Sequence, residues 1–174
     1  MMGAAVDEVV TGPILVDPNP KTMDDALSNT LAFSYEGRQS QLRNDARTMI
    51  ISSTPRMRQC FGWVKVDGHI LLNWPRRLRP PTIRIDQITR SFSADKEYIG
   101  IIYEYVEEGE NDRVIVEEVA NFLWRAGFGY TRCSAARNWK NGVLIDLSDI
   151  VHVSGYGWRP NQFGPRKAER ILKS

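Results

Sequence analysis

Thr131–Asp149 reads TRCSAARNWKNGVLIDLSD. Asn138 and Asp146 stand at the two ends of a short segment within it, and between them lies Asn141-Gly142, a dipeptide that accepts positive φ at low cost. Such a pair suits a tight two-residue turn between strands. Val143-Leu144-Ile145 then reads as a brief buried strand, with Asp146 leaving its end. An asparagine and an aspartate delivered side by side at strand ends can share a divalent cation, because both offer hard oxygen ligands. The same residues also suit a hairpin in which Asn and Asp only cap turns, and the stretch alone leaves both open.

The segment resembles the catalytic core of protein kinases, which carry H-R-D-x-x-x-x-N followed by D-F-G. Aligned on Asn138, Thr131-Arg132-Cys133 falls under H-R-D and Asp146-Leu147-Ser148 under D-F-G, at a shorter spacing than in ordinary kinases. Asn138, Asn141, Gly142, Leu144, Asp146 and Ser148 match N-x-x-N-G-x-L-x-D-x-S. That pattern is similar to a compact fungal kinase-like family that includes a kinetochore-complex subunit. The resemblance covers roughly Asp45 to Trp158. It implies an α+β, partial kinase-like fold: an antiparallel sheet from a reduced N-lobe, a hinge, a helix and a catalytic-loop-like hairpin. It further implies Asn138 and Asp146 as metal ligands, ATP and Mg²⁺ as cofactors, and a hinge at Glu104-Tyr105-Val106 whose backbone faces an adenine.

Several parts of that machinery are missing from the sequence. Cys133 stands at the base position, and a thiol cannot replace a carboxylate that orients a hydroxyl and accepts its proton near neutral pH. Gly3 and Gly12 fit neither G-x-G-x-x-G nor G-x-x-x-x-G-K-[ST], so no phosphate-cradling loop is present. Asp45 is the nearest match to the acid that pairs with an N-lobe lysine, yet no lysine occurs between Lys21 and Lys65. The resemblance with these losses implies a truncated pseudokinase-like module that acts by binding a protein partner. Two other functions compete with it. One is a residual phosphotransferase that uses Asn138 and Asp146 for metal. The other is a binder of nucleic acid or acidic protein that uses Arg76, Arg77 and Arg79 with Arg166, Lys167 and Arg170.

Composition sets outer bounds. A chain of 174 residues with 42% hydrophobic content predicts one globular domain with a real core. A net charge of +2 excludes a global polycation. Cys60 and Cys133, His69 and His152 are too few and too scattered for a structural zinc site. No apolar run reaches the length of a membrane span, and the expectation is a soluble intracellular protein, cytoplasmic or nuclear, with free thiols.

Along the chain, the pattern predicts a flexible arm over 1–21, with an edge strand at Ile14-Leu15-Val16 as the alternative. A kinase-like domain follows over 22–158, and a basic tail or short helix over 159–174. Thr22 with Asp25 three residues on predicts a helix start. A second helix is expected from Glu36 through Arg47 to Ile51. Cys60–Val66 predicts a strand, Asp67-Gly68 a hairpin turn, and His69–Trp74 the returning strand, with Trp63 and Trp74 in the core. Pro75–Pro81 is an arginine-bearing loop.

Arg43 to Arg90 holds ten Lys/Arg against three Asp, whereas Asp95 to Glu118 holds nine Asp/Glu against two Lys/Arg. This separation of sign suits a basic face for an acidic partner, or two surface loops that screen one another. Tyr98–Val106, YIGIIYEYV, predicts a buried strand. The acidic run Glu107–Asp112 is expected to be a flexible connection. Val114–Phe128 places Val116, Val119, Ala120, Leu123 and Trp124 on one helical face, with Gly127 as a stop.

Overall fold

The computed structural model describes residues 13–40, 48–131 and 136–173. Its elements run β1 (Ile14–Val16), α1 (Met23–Leu31), α2 (Tyr35–Ser40), β2 (Met49–Ile51), β3 (Cys60–Asp67), α3 (Gly68–Asn73), β4 (Ile83–Ile85), β5 (Ile88–Arg90) and β6 (Glu97–Tyr103). They continue α4 (Arg113–Arg125), β7 (Gly129–Tyr130), β8 (Trp139–Lys140), β9 (Val143–Leu144), β10 (Ile150–Val151) and α5 (Ala168–Ile171). Among the described residues the strands form five two-stranded antiparallel sheets, so the chain is mixed α+β without a large sheet. Two compact units divide it. One draws on the chain up to Met57 and from Val106 onward, and the other is Arg58–Tyr105.

The first unit is built around α4. Asp112 caps it by accepting the N–H of Val114 at 2.7 Å, which satisfies a donor that has no intrahelical partner. Val116, Val119, Ala120, Leu123 and Trp124 recur at helical spacing and are all buried, as the periodicity predicts. Tyr130, Trp139, Leu144, Ala168 and Ile171 complete the main core around this face. Trp124 packs in a second cluster with Ala26, Val153 and Phe163, and its indole donates to the Pro20 carbonyl at 3.2 Å.

Local signals explain the first helix. The Thr22 hydroxyl accepts the Asp25 N–H at 3.1 Å and the Asp25 carboxylate accepts the Thr22 N–H at 2.8 Å, the reciprocal pair expected of Thr followed by an acid at the third position. Asn29, on the buried face of α1, accepts from the Asp17 N–H and donates to the carbonyls of Asp17 and Arg125. It thereby ties β1, α1 and the end of α4 together.

Three expectations for this unit are corrected. Of the two readings of residues 13–21, the edge strand holds and the flexible arm does not: Ile14–Val16 is β1, which pairs with β2 in the register Ile14–Ile51, and Val16 is fully buried. Residues 1–12 lie outside the described residues. The second helix does not reach Ile51, because Met49–Ile51 is a strand claimed by β1; Asp45, with 41–47, is outside the described residues. In the 159–174 segment the short-helix reading holds and the tail reading does not: Ala168–Ile171 is α5. Lys167 and the Ala168 N–H both bond the Glu117 carboxylate, which docks α5 so that Ala168 and Ile171 enter the core.

In the second unit, β3 and β6 form a ribbon in which Trp63 faces Ile101 and Lys65 faces Ile99, with a bulge between Cys60 and Gly62. Asp67-Gly68 is not a hairpin turn and His69–Trp74 is not a strand. Asp67 precedes α3, and Gly68 sits where an added Cβ would lie 1.8 Å from the Ser93 carbonyl oxygen while its N–H bonds Lys96 O. The glycine serves a close backbone approach, which its sequence neighbourhood does not distinguish from a turn.

The apolar run of β6 is not buried either. Ile99 is 69% exposed and Trp63 65% exposed, and Trp74 is also on the surface rather than in a core. β4 and β5 make a second hairpin, with Ile83 opposite Arg90 and Ile85 opposite Ile88. Its tip residues Asp86 and Gln87 both have positive φ.

Candidate functional site

The Thr131–Asp149 stretch folds as the hairpin its dipeptide predicts. Trp139 pairs with Leu144 and Lys140 with Val143, and Asn141 and Gly142 both have positive φ, the geometry of a tight two-residue turn. Val143 and Leu144 are buried. Asn111 clamps the turn: its side-chain oxygen accepts the Gly142 N–H at 3.0 Å and its amide donates to the Trp139 carbonyl at 3.3 Å. The Asn141 N–H bonds the Gly109 carbonyl, and Lys140 forms an ion pair with Glu108. The acidic run Glu107–Asp112 is therefore held against the hairpin by named bonds, where the sequence predicted a flexible connection.

Asn138 is buried at the start of the hairpin, and its carbonyl accepts the Ile145 N–H at 2.8 Å. Its side-chain amide donates to Asp149 Oδ2 at 2.7 Å. Asp149 Oδ1 accepts the Thr131 hydroxyl at 2.8 Å, and the Asp149 carbonyl accepts the Thr131 N–H at 2.9 Å. The polar constellation at the base of the hairpin is thus Thr131–Asp149–Asn138.

Asp146 is exposed and accepts the N–H of Ser148 at 2.9 Å, a local turn bond. Asn138 thus presents an N–H donor to a carboxylate, and its bonded partner is Asp149 rather than Asp146. Among the described residues there is no group of three or more His, Cys, Asp or Glu placed to hold a metal ion. Cys133 lies outside the described residues, with Arg132, Ser134 and Ala135. Asp149 was not singled out by sequence. The one signal for it is that it closes the same loop as Thr131.

Next to this clip, Tyr130 is buried at the β7–β10 pair. Burial pushes its phenol well above the ordinary tyrosine range; the Arg166 charge opposes that shift and the Asp149 carboxylate adds to it. Arg166 also lies over the Tyr130 ring at 5.7 Å and donates to the Gln162 carbonyl. Arg166 and Arg170 line an open, polar depression of about 280 Å³ with Asn161, Gln162 and Phe163.

The expected hinge residues have other partners. Glu104 donates its N–H to the Gln59 carbonyl at 2.9 Å, and its own carbonyl accepts from Arg58 Nε at 3.2 Å. Its carboxylate takes the Gln59 N–H. Arg58 also sits over the Tyr103 ring at 4.6 Å. Val106 is buried.

The second candidate surface is the Arg58–Tyr105 unit. Arg76, Arg77 and Arg79 lie on and just after a 3-10 turn at Arg76–Leu78, all exposed, and Arg79 Nε donates to the Trp74 carbonyl at 2.7 Å. Phe61, Trp63, Val64, Ile70, Trp74, Leu78, Ile83, Ile85, Ile88, Ile99, Ile101, Ile102, Tyr103 and Tyr105 are all exposed, while Leu71 is the unit's one buried large hydrophobic. Large apolar side chains this numerous on so short a segment exceed ordinary surface scatter. Sequence reasoning missed this exposure because an apolar run such as YIGIIYEYV reads the same whether or not another element lies over it.

No family model, curated protein or solved structure matches the chain. No helix among the described residues is long and apolar enough to cross a membrane.

Proposed function

We propose that this chain is a kinase-like interaction module that binds a protein partner through the Arg58–Tyr105 unit and does not transfer phosphate. The observation that carries the proposal is the uncovered apolar surface of β3 and β6, where Trp63, Ile99 and Ile101 share one face. A two-stranded ribbon has little independent stability in water, because its apolar side chains need a covering layer. Burial of apolar area returns about 25 cal/mol per Å², so a partner that covers this face gains most where Trp63 and Ile99 are most open.

Support for the kinase-like part is the order of elements: strand β6, acidic connection, helix α4, then a hairpin that carries Asn138 and ends near Asp146. Support for the absence of phosphate transfer comes from Cys133 at the base position and from the Asn138 amide bonded to Asp149. Loss of a general base alone costs about 10²–10⁴ in rate.

Two measurements on the purified chain test the proposal. An environment-sensitive apolar dye binds the wild type, and Trp63→Ser with Ile99→Ser weakens that binding without loss of the α4 core signal. Dye binding unchanged in the double variant would count against the ribbon. ATP with Mg²⁺ or Mn²⁺ leaves the melting temperature unchanged. A metal-dependent rise lost in Asp146→Ala would instead establish a nucleotide site, since a ligand of the native state must stabilise it.

A further inference from the structure

The Arg58–Tyr105 unit carries a second exposed apolar element, and this one is basic. β4 and β5 form a hairpin exposed along its whole length, and the register places Ile83, Ile85 and Ile88 with Arg90 on one face. Arg84 and Thr89 occupy the other face, and Arg76 and Arg77 precede the hairpin on the 3-10 turn. An isolated hairpin of this length does not hold its strands in water without a cover for its apolar face. Its charge selects the cover: five arginines stand against Asp86 between Arg76 and Arg90.

The first unit of the same chain presents the opposite surface. Glu107 and Glu110 lie in the connection before α4, and Val114 and Glu118, four residues apart on that helix, face outward together. Val114 is 75% exposed and Ile115 is exposed beside it, next to the Gly142 turn. Glu107, Glu110 and Glu118 form no ion pair among the described residues, whereas Glu108 and Glu117 are already paired with Lys140 and Lys167. A segment with these unpaired acids, exposed Val114 and Ile115 and the single base Arg113 is the chemical complement of a basic arm with an isoleucine face.

We infer that the occupant of the β4–β5 arm is a second copy of this chain, with the arm of each copy seated on the Glu107–Glu118 strip of the other. The inference rests on the reading above that the Arg58–Tyr105 unit is a binding surface, and it names the partner of that unit's β4–β5 hairpin. Each copy carries one arm and one strip, so the charges of a pair of copies match in number. A nucleic acid would load the arginines but leave Ile83, Ile85 and Ile88 in water, so the aliphatic face favours a protein surface.

The test is sedimentation equilibrium of the full chain at low and raised salt. Three samples are compared: the wild type, an arm-reversed variant (Arg76→Glu, Arg77→Glu, Arg84→Glu) and a strip-reversed variant (Glu107→Lys, Glu110→Lys, Glu118→Lys). The wild type pairs and the pairing weakens with salt, because part of the attraction is between exposed charges. Each variant alone sediments as a monomer at concentrations where the wild type pairs. An equimolar mixture of the two variants pairs again, because every arm then meets a strip of opposite sign, and this rescue also shows that both variants are folded.

A wild type that stays monomeric at every concentration overturns the second-copy inference, as does a mixture that fails to pair. The dye measurement then separates the two levels. A monomer whose ribbon binds dye retains the partner-binding reading with a different partner, and a monomer that binds none loses both.

Discussion

Asn138→Ala and Asp146→Ala separate a structural clip from a metal pair. Asn138 is buried and its amide donates to the Asp149 carboxylate at 2.7 Å, a bond to a charged acceptor. Such bonds contribute about 1.5–3 kcal/mol, so Asn138→Ala is expected to cost about 2 kcal/mol. Asp149→Ala removes the acceptor of both the Asn138 amide and the Thr131 hydroxyl at 2.8 Å, and about 3 kcal/mol is expected because the two bonds share one group. Asp146 is exposed and holds only the Ser148 N–H locally, so Asp146→Ala costs about 0.5 kcal/mol, within the ordinary range for surface changes.

For a chain of this length each kcal/mol moves the melting temperature by about 2–4 °C, which makes the ranking Asp149, Asn138, Asp146 readable. Urea unfolding read by tryptophan fluorescence gives the same order in midpoint with an unchanged slope. Equal losses for Asn138→Ala and Asp146→Ala, both abolished by removal of divalent cation, would refute the clip and restore the metal pair.

Other outcomes follow from the same contacts. Gly127 has φ +90° and an added Cβ would lie 2.2 Å from both Ala26 O and Thr30 Oγ1, so Gly127→Ala is expected to destabilise by about 3 kcal/mol or more, measured by urea midpoint. The N–H groups of Lys21 and Thr22 hold the Asp25 carboxyl below the usual carboxylate range. A folded value below the unfolded one means that Asp25 stabilises above the unfolded value of about 4 and loses that effect as pH falls through the folded value. Asp25→Asn should therefore flatten the acid limb of a melting-temperature profile.

Tyr130 has the opposite sign. Its folded value is raised, so its contribution is complete below the unfolded value of about 10 and fades as pH climbs beyond it, and Tyr130→Phe should blunt the alkaline loss. Trp63→Ser with Ile99→Ser leaves the stability of the α4 core, read from its urea midpoint, within about 0.5 kcal/mol of wild type, since neither side chain is buried.

Local chemistry was legible and long-range pairing was not. Thr22 with Asp25, Asn141-Gly142 and the apolar face of α4 each act within a few residues, and each forms the structure its sequence predicts. β2 was hidden because Met49–Ile51 is claimed by β1 more than thirty residues away, a partner that no local period announces. His69–Leu72 is an apolar run whose length fits strand or helix, and Gly68 reads as a turn until Ser93 is known to lie against it. The tyrosine- and isoleucine-rich β6 was expected to be buried. Pattern predicts which face is apolar, but not whether the chain supplies a cover for it.

At the candidate site the hairpin was legible, and the partner of Asn138 was not. Asp146 was favoured by the resemblance, while Asp149, three residues on, takes the bond.

The most direct test of the central claim is amide hydrogen exchange on the full chain, dilute enough to be monomeric. The β6 amides Glu97–Tyr103 are compared with those of α4, Arg113–Arg125. If the ribbon is the surface left for a partner, β6 exchanges through local opening many times faster than α4, whose buried face ties it to the unit's global stability. Protection of β6 equal to that of α4 in the monomer would mean that the chain already covers the ribbon, and would contradict the account.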